Sequence, residues 1–277
     1  MASLALSAQE SPFFITYTHH MEEPGNLDLE ISSTTGVPRS GQQLYVAPYM
    51  ELEYGVSAQW TTEFYLEGQS SPGDSTVFTG WRIENRYKPL AREHWINPVL
   101  YLEYESLNEA SRIQKEIEGS GPDLISLNAL LTPEHDHELE TKLILSSDYH
   151  DWNISENFIA AKNFSQSEGV EFGYSLGVSR PLAALASGNE CRFCRENFIA
   201  GIEMYGGLGS TLGFGVHDTA HYIAPVISWA VSDNSTLRLS PGFGLTHGSN
   251  PVLIRVGYAY EFQGVGAKIG RLFGRKQ

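Results

Sequence analysis

What the chain is short of narrows its function before anything else does. It has no run of about eighteen apolar residues, so no membrane-crossing helix is expected. Lys and Arg number 18 against 33 Asp and Glu, a formal net charge of −15, and no basic stripe exists to neutralise phosphates; nucleic acid is excluded as a partner. The two cysteines, Cys191 and Cys194, cannot make a four-cysteine zinc site within one chain. No His follows Cys194, which excludes c-type haem attachment, and no cofactor is expected. In an oxidising compartment the C-x-x-C spacing suits a local disulfide. The first ten residues, MASLALSAQE, lack a basic stretch and a long enough apolar run for a complete signal peptide, so residues 5–7 are the end of a truncated one or part of a flexible tail.

What is present is alternation. Ile254, Val256, Tyr258, Tyr260 and Phe262 fall on one face of an extended segment, with Arg255, Gly257, Ala259 and Glu261 on the other. The same period-2 pattern recurs in segments of roughly ten to fourteen residues, the length a tilted membrane strand needs. Twelve can be counted, centred near residues 30, 50, 63, 82, 101, 144, 157, 175, 201, 226, 240 and 257. The segment at 152–162 is the least regular because Glu156 falls on the apolar face, and Pro48, Pro98, Pro225 and Pro241 each remove a ladder donor.

A soluble β-sandwich would show the same alternation with its apolar face turned inward. Two features point to lipid instead. Connections alternate in length: of those near 55–57, 89–94, 150–151, 181–195 and 232–234 all but 181–195 are short, and those on the other side are mostly longer, with 107–137 the longest. On the apolar face Tyr54, Trp60, Tyr87, Tyr149, Trp152, Phe198, Trp229, Tyr260 and Phe262 gather at the short-turn ends of their strands, where an interfacial girdle would lie. The expectation is an all-β, up-and-down antiparallel transmembrane barrel of about twelve strands over 26–262. It is preceded by an N-terminal segment, 1–25, and followed by a basic tail, 263–277. Pro12 to His20 either adds a short strand or plugs the inner mouth.

The last strand, Arg255 to Phe262, resembles the C-terminal β-signal of Gram-negative outer-membrane β-barrel proteins: a polar residue, Gly257 two later, and a terminal aromatic. The resemblance implies the bacterial outer membrane, its lipid and the barrel-assembly machinery as partners, and an unidentified small solute. It departs from the family in that fifteen residues follow the aromatic.

With the apolar face on lipid, the other face lines the lumen. The expected lining is Glu51, Glu53, Glu63, Glu67, Arg82, Glu84, Arg86, Glu103, Glu105, Glu140, Lys142, Glu171, Glu203, Arg238 and Arg255. With Asp28, Glu30, Glu138, Asp148, Glu261 and Lys88 added, fifteen acids face six bases. Such an interior either admits cations and small polar solutes or interlocks as a closed polar core.

Three smaller signals remain. His247-Gly-Ser249-Asn250 resembles the His-x-Ser-Asn motif of outer-membrane phospholipase A and of lipid A deacylases, which implies His247 as base and Ser249 as nucleophile of a lipid hydrolase. A turn built of Gly, Ser, Asn and Pro is the plainer account, and catalysis the lesser reading. His135 and His137 in the long loop, and His19-His20-Met21-Glu22-Glu23 near the start, offer metal-ligand types. On an extended chain only alternate residues converge, so each group supplies too few ligands. Channel or transporter, lipid hydrolase and non-transporting structural barrel are the functional readings carried forward.

Overall fold

The computed structural model describes residues 11–37, 44–108, 128, 132–167, 169–183 and 193–268. Its strands are β1 (Leu27–Val37), β2 (Tyr45–Ser57), β3 (Trp60–Ser70), β4 (Thr76–Tyr87), β5 (Asn97–Leu107), β6 (Asp136–Tyr149), β7 (Trp152–Asn163), β8 (Glu171–Pro181), β9 (Phe198–Ser210), β10 (Gly213–Phe214), β11 (His221–Ser232), β12 (Ser235–Gly244) and β13 (Val252–Phe262). Each pairs antiparallel with its neighbour, β9 passes to β11, and β13 returns to β1, closing twelve strands into a barrel. The two-residue β10 only extends the outer end of β9. Closure leaves no open sheet edge, the condition for strands to cross lipid.

The burial pattern is inverted relative to a soluble protein. Ile31, Phe64, Leu100, Leu143, Phe158, Leu176, Leu239 and Val256 are exposed, while Glu63, Glu84, Glu103, Glu140, Arg82 and Arg255 are buried. Period-2 alternation therefore puts the apolar side chains outside and the charges inside, which is the arrangement of a membrane barrel. At the short-turn ends Trp60 lies opposite Tyr87, Tyr149 opposite Trp152, and Phe198 opposite Trp229. Tyr260 and Phe262 pack edge to face, 4.8 Å apart. Glu156 is exposed on the outer face of β7, between Leu145 and Leu176.

Two of the prolines, Pro225 and Pro241, are accommodated by pairing their defects. The β11–β12 ladder is interrupted between Ile223↔Phe243 and Ile227↔Leu239, the stretch that holds Pro225 and Pro241. The two missing donors share one gap, where the Ser240 hydroxyl donates to the Pro225 carbonyl (3.0 Å). Pro98 is the second residue of β5, where loss of a donor costs little.

Residues 11–26 do not join the sheet as a strand. They lie inside the barrel, where Phe13, Ile15, Thr16, Thr18 and His19 are buried. The wall residues that bond them (Glu203, Asn157, Glu84, Ser146, Thr61 and Gly55) each stand no more than five residues from the short-turn end of a strand. The segment thus crosses the lumen near that end and leaves through a close approach to β2. A Cβ on Gly55 would stand 2.1 Å from the Glu23 carbonyl oxygen, so only glycine lets the two backbones meet. Of the long loop, Asn128 is described: it accepts from Gln69, a buried side chain of β3, at 3.0 Å, and donates to Ser75. That places one residue of the loop at the wide-loop mouth of the lumen.

Candidate functional site

The register of the strands determines how the luminal charges meet. Glu261, Asp28, Glu53, Glu63, Glu84, Glu103 and Glu140 are successive partners across β13, β1, β2, β3, β4, β5 and β6. They form one row of seven carboxylates around more than half of the wall. The next row reads Glu30, Glu51, Tyr65, Arg82, Glu105, Glu138. On the other side of the carboxylates runs Thr61, Arg86, Tyr101, Lys142. Like charges directly across a ladder repel, and the bases sit one luminal step away, where they pair diagonally. Arg82 reaches Glu67 (2.6 Å) and Glu103 (2.7 Å), and Lys142 reaches Glu140 (3.0 Å). Arg86 pairs with Glu53 and Glu63, and its Nε stands 3.3 Å from Glu84.

Another part of the lumen differs. Tyr45, Ala47, Tyr205, Ala220, Tyr222, Ala224 and Leu253 make a buried cluster on β2, β9, β11 and β13, joined by Ile15 of the luminal segment. The lumen therefore has an acidic side and a tyrosine-rich apolar side. The apolar side was missed because Ala and Tyr sit in the alternation as readily inside as outside.

The luminal segment is held by both sides. Glu203 Oε1 accepts from the backbone N–H of Phe14 (3.1 Å), and Oε2 from those of Ile15 (2.9 Å) and Thr16 (2.8 Å). Asn157 brackets Tyr17, accepting from its N–H (2.7 Å) and donating to its carbonyl (3.0 Å). The Tyr17 hydroxyl donates to Glu84 (2.8 Å), and its ring lies 4.5 Å from Lys142 Nζ. Arg238 donates to the carbonyls of Ser11 (3.1 Å) and Phe13 (2.7 Å) and pairs with Glu30. Phe13 and Phe14 occupy room left by glycines: a Cβ on Gly177 would come 2.7 Å from the Phe13 ring. Between segment and wall lies a cavity lined on the wall side by Tyr49, Glu51, Glu53, Glu63, Tyr65 and Arg82.

The other candidates lie elsewhere. Glu171 is half-buried at the outer end of β8, and Arg255 is buried and donates to Tyr205. Ser249 is buried in the β12–β13 loop, donating to the His221 carbonyl (2.8 Å) and accepting from the His221 N–H (2.9 Å), while His247 is exposed. His135 Nδ1 turns to the Ser106 carbonyl (3.2 Å), whereas His137 is exposed and bonds the Tyr104 hydroxyl (2.8 Å). Their rings go to different partners, and no three-ligand group among the described residues includes either. Cys194 is disulfide-bonded; Cys191 lies outside the described residues. The start of the tail, 263–268, is tied to the segment's exit by Gly266 N–H to Gly25 O (2.9 Å), and 269–277 lie outside the described residues.

No family model and no curated protein matches the sequence. Solved structures do match. The COG4313 outer membrane channel from Pseudomonas putida F1 is 12% identical with a TM-score of 0.57, over 92% of this chain and 100% of that one. The KdgM porin is 8% identical with a TM-score of 0.52, over 84% and 99%. The KdgM porin in complex with disordered oligogalacturonate scores 0.52 at 9% identity, over 86% and 99%. Likeness at such identities is likeness of fold: the chain shares the closed β-barrel fold of these outer-membrane porins and channels.

Proposed function

We propose that the protein is an outer-membrane channel for small cationic or neutral polar solutes, with residues 11–26 setting the width of the path at the short-turn end. The observation that carries this reading is the row of seven carboxylates on the inner face of the wall, of which Asp28, Glu53 and Glu63 line the luminal cavity. Adjacent strands stand ~4.8 Å apart, so two unscreened charges in that row repel by about 3 kcal/mol at an effective dielectric constant of about 20. Arg82, Arg86 and Lys142 offset only part of this, and the remainder draws cations in and keeps anions out. The fold shared with a channel and a porin supports the same reading.

The test is conductance in planar bilayers with a salt gradient. The reading expects a reversal potential of cation-selective sign. It also expects the double variant Glu51→Gln, Glu53→Gln to move that potential toward zero without loss of the barrel. Anion selectivity, or a closed bilayer both for the full chain and for a variant lacking residues 1–23, would sink it. The hydrolase reading has no observation in its favour, since the Ser249 hydroxyl is engaged with the His221 backbone in the turn.

A further inference from the structure

Adjacent histidines on an extended chain point apart, yet here they converge. A bend at His19 brings the His19 and His20 rings to 4.4 Å between centroids. His20 Nε2 stands 3.0 Å from Asp148 Oδ2, and His19 Nε2 stands 3.6 Å from the same oxygen and 2.8 Å from Glu93 Oε2. The ligand atoms of His19, His20 and Asp148 all lie within 4.8 Å of one another. Donors around zinc at about 2.1 Å would be spaced roughly 3.4 Å apart, close to the 2.8, 3.0 and 3.6 Å already present.

The surroundings aim these atoms. His19 Nδ1 is bonded to the Ser146 hydroxyl (2.7 Å), which directs Nε2 into the cluster. Asn153 holds Asp148 Oδ1 (2.7 Å) and leaves Oδ2 facing the imidazoles. Lys88 holds Glu93 Oε1 (2.8 Å) and leaves Oε2 facing His19. Such outer partners fix ligand orientation in metal sites. Two neutral imidazoles and two carboxylates carry −2, and with Lys88 paired to Glu93 the group totals −1, a charge that favours a cation. His19 is buried at 1% exposure, while the Asp148 and Glu93 side chains, 49% and 62% exposed, leave an entry path from the aqueous side of the short-turn end.

We propose that His19, His20, Asp148 and Glu93 bind one divalent transition-metal ion of the zinc class, which fastens the luminal segment to β6 and to the β4–β5 turn. The ligands come from three separate stretches of chain, so the ion acts as a clasp on the occupant of the lumen. This goes beyond the channel reading and does not depend on it.

The experiment is a zinc titration of the full chain in detergent, free of any added histidine tag, against a chromophoric chelator. One ion per chain is expected, with an affinity in the roughly micromolar range or tighter. His20→Ala and Asp148→Asn should each weaken it by at least about tenfold. The double variant His135→Ala, His137→Ala should leave it unchanged. Both cluster substitutions fall on half-exposed side chains, and a faster-running unboiled gel band would verify that the variants fold. Absence of saturable binding, or binding that survives loss of His20 and Asp148, would overturn the proposal. Neither result bears on conductance, so the two readings fail separately.

Discussion

Replacing Glu203 by alanine is expected to loosen the luminal segment while leaving the barrel closed. One carboxylate accepts three consecutive backbone N–H groups, from Phe14, Ile15 and Thr16, at 2.8–3.1 Å. Hydrogen bonds to a charged group contribute about 1.5–3 kcal/mol each. Three at the low end total roughly 4–5 kcal/mol, and water entering the space left by the side chain recovers part of it. A net loss of about 3 kcal/mol raises the undocked population by roughly 100-fold. The reporter is Thr18→Cys, buried at 2% exposure beside the bend, in a chain with no free cysteine among the described residues. Its rate of maleimide labelling should rise by roughly 100-fold in the Glu203→Ala background if labelling follows the undocked fraction. Glu203→Gln, which keeps one acceptor oxygen, should lie between. Indistinguishable labelling rates in barrels that still run as folded would refute the claim that this carboxylate anchors the segment.

Two further outcomes follow from the same structure. Burial, with the charges of Glu261 and Asp28 beside it, raises the Glu22 carboxyl from 4.5 to about 8. The folded state then holds a proton that the unfolded chain releases above 4.5, so this group's contribution is intact below pH 4.5 and declines as pH rises toward 8. Glu22→Gln should therefore melt higher than the parent at pH 8 and with it at pH 4; equal melting curves at both would contradict the assignment. Ser249→Ala removes both hydrogen bonds to the His221 backbone and should destabilise the barrel by roughly 1–3 kcal/mol in urea titration. Lipase activity present in the parent and abolished by that substitution would instead revive the hydrolase reading.

Much of the fold was legible because a membrane barrel writes its geometry locally. A two-residue period decides which side chains meet lipid, and strand length follows from bilayer thickness, so all twelve predicted strand centres fall within observed strands. Rings at the short-turn ends of Trp60, Tyr149 and Phe262 identified the lipid side for a physical reason, since a soluble core wants its large side chains mid-strand. Two of the four prolines that argued against the strands, Pro225 and Pro241, share a single gap between β11 and β12.

Other features depend on distances in space that a linear pattern does not contain. Which carboxylates share a row is a matter of register, and register adds Asp28 on β1 to Glu140 on β6 through four intervening strands. Whether Phe13 to His20 joins the wall or fills the lumen depends on acceptors such as Glu203, some 190 residues away, which hold its backbone only once the barrel has closed. The convergence of His19 with His20 needs a bend that those contacts impose, so the chemistry of that pair belongs to the tertiary structure. The sequence by itself determined a closed, lipid-facing, acid-lined barrel, because alternation and length are local properties of strands. The tertiary structure alone decided what occupies that barrel and which charges confront one another, because both are set by contacts between residues far apart in the chain.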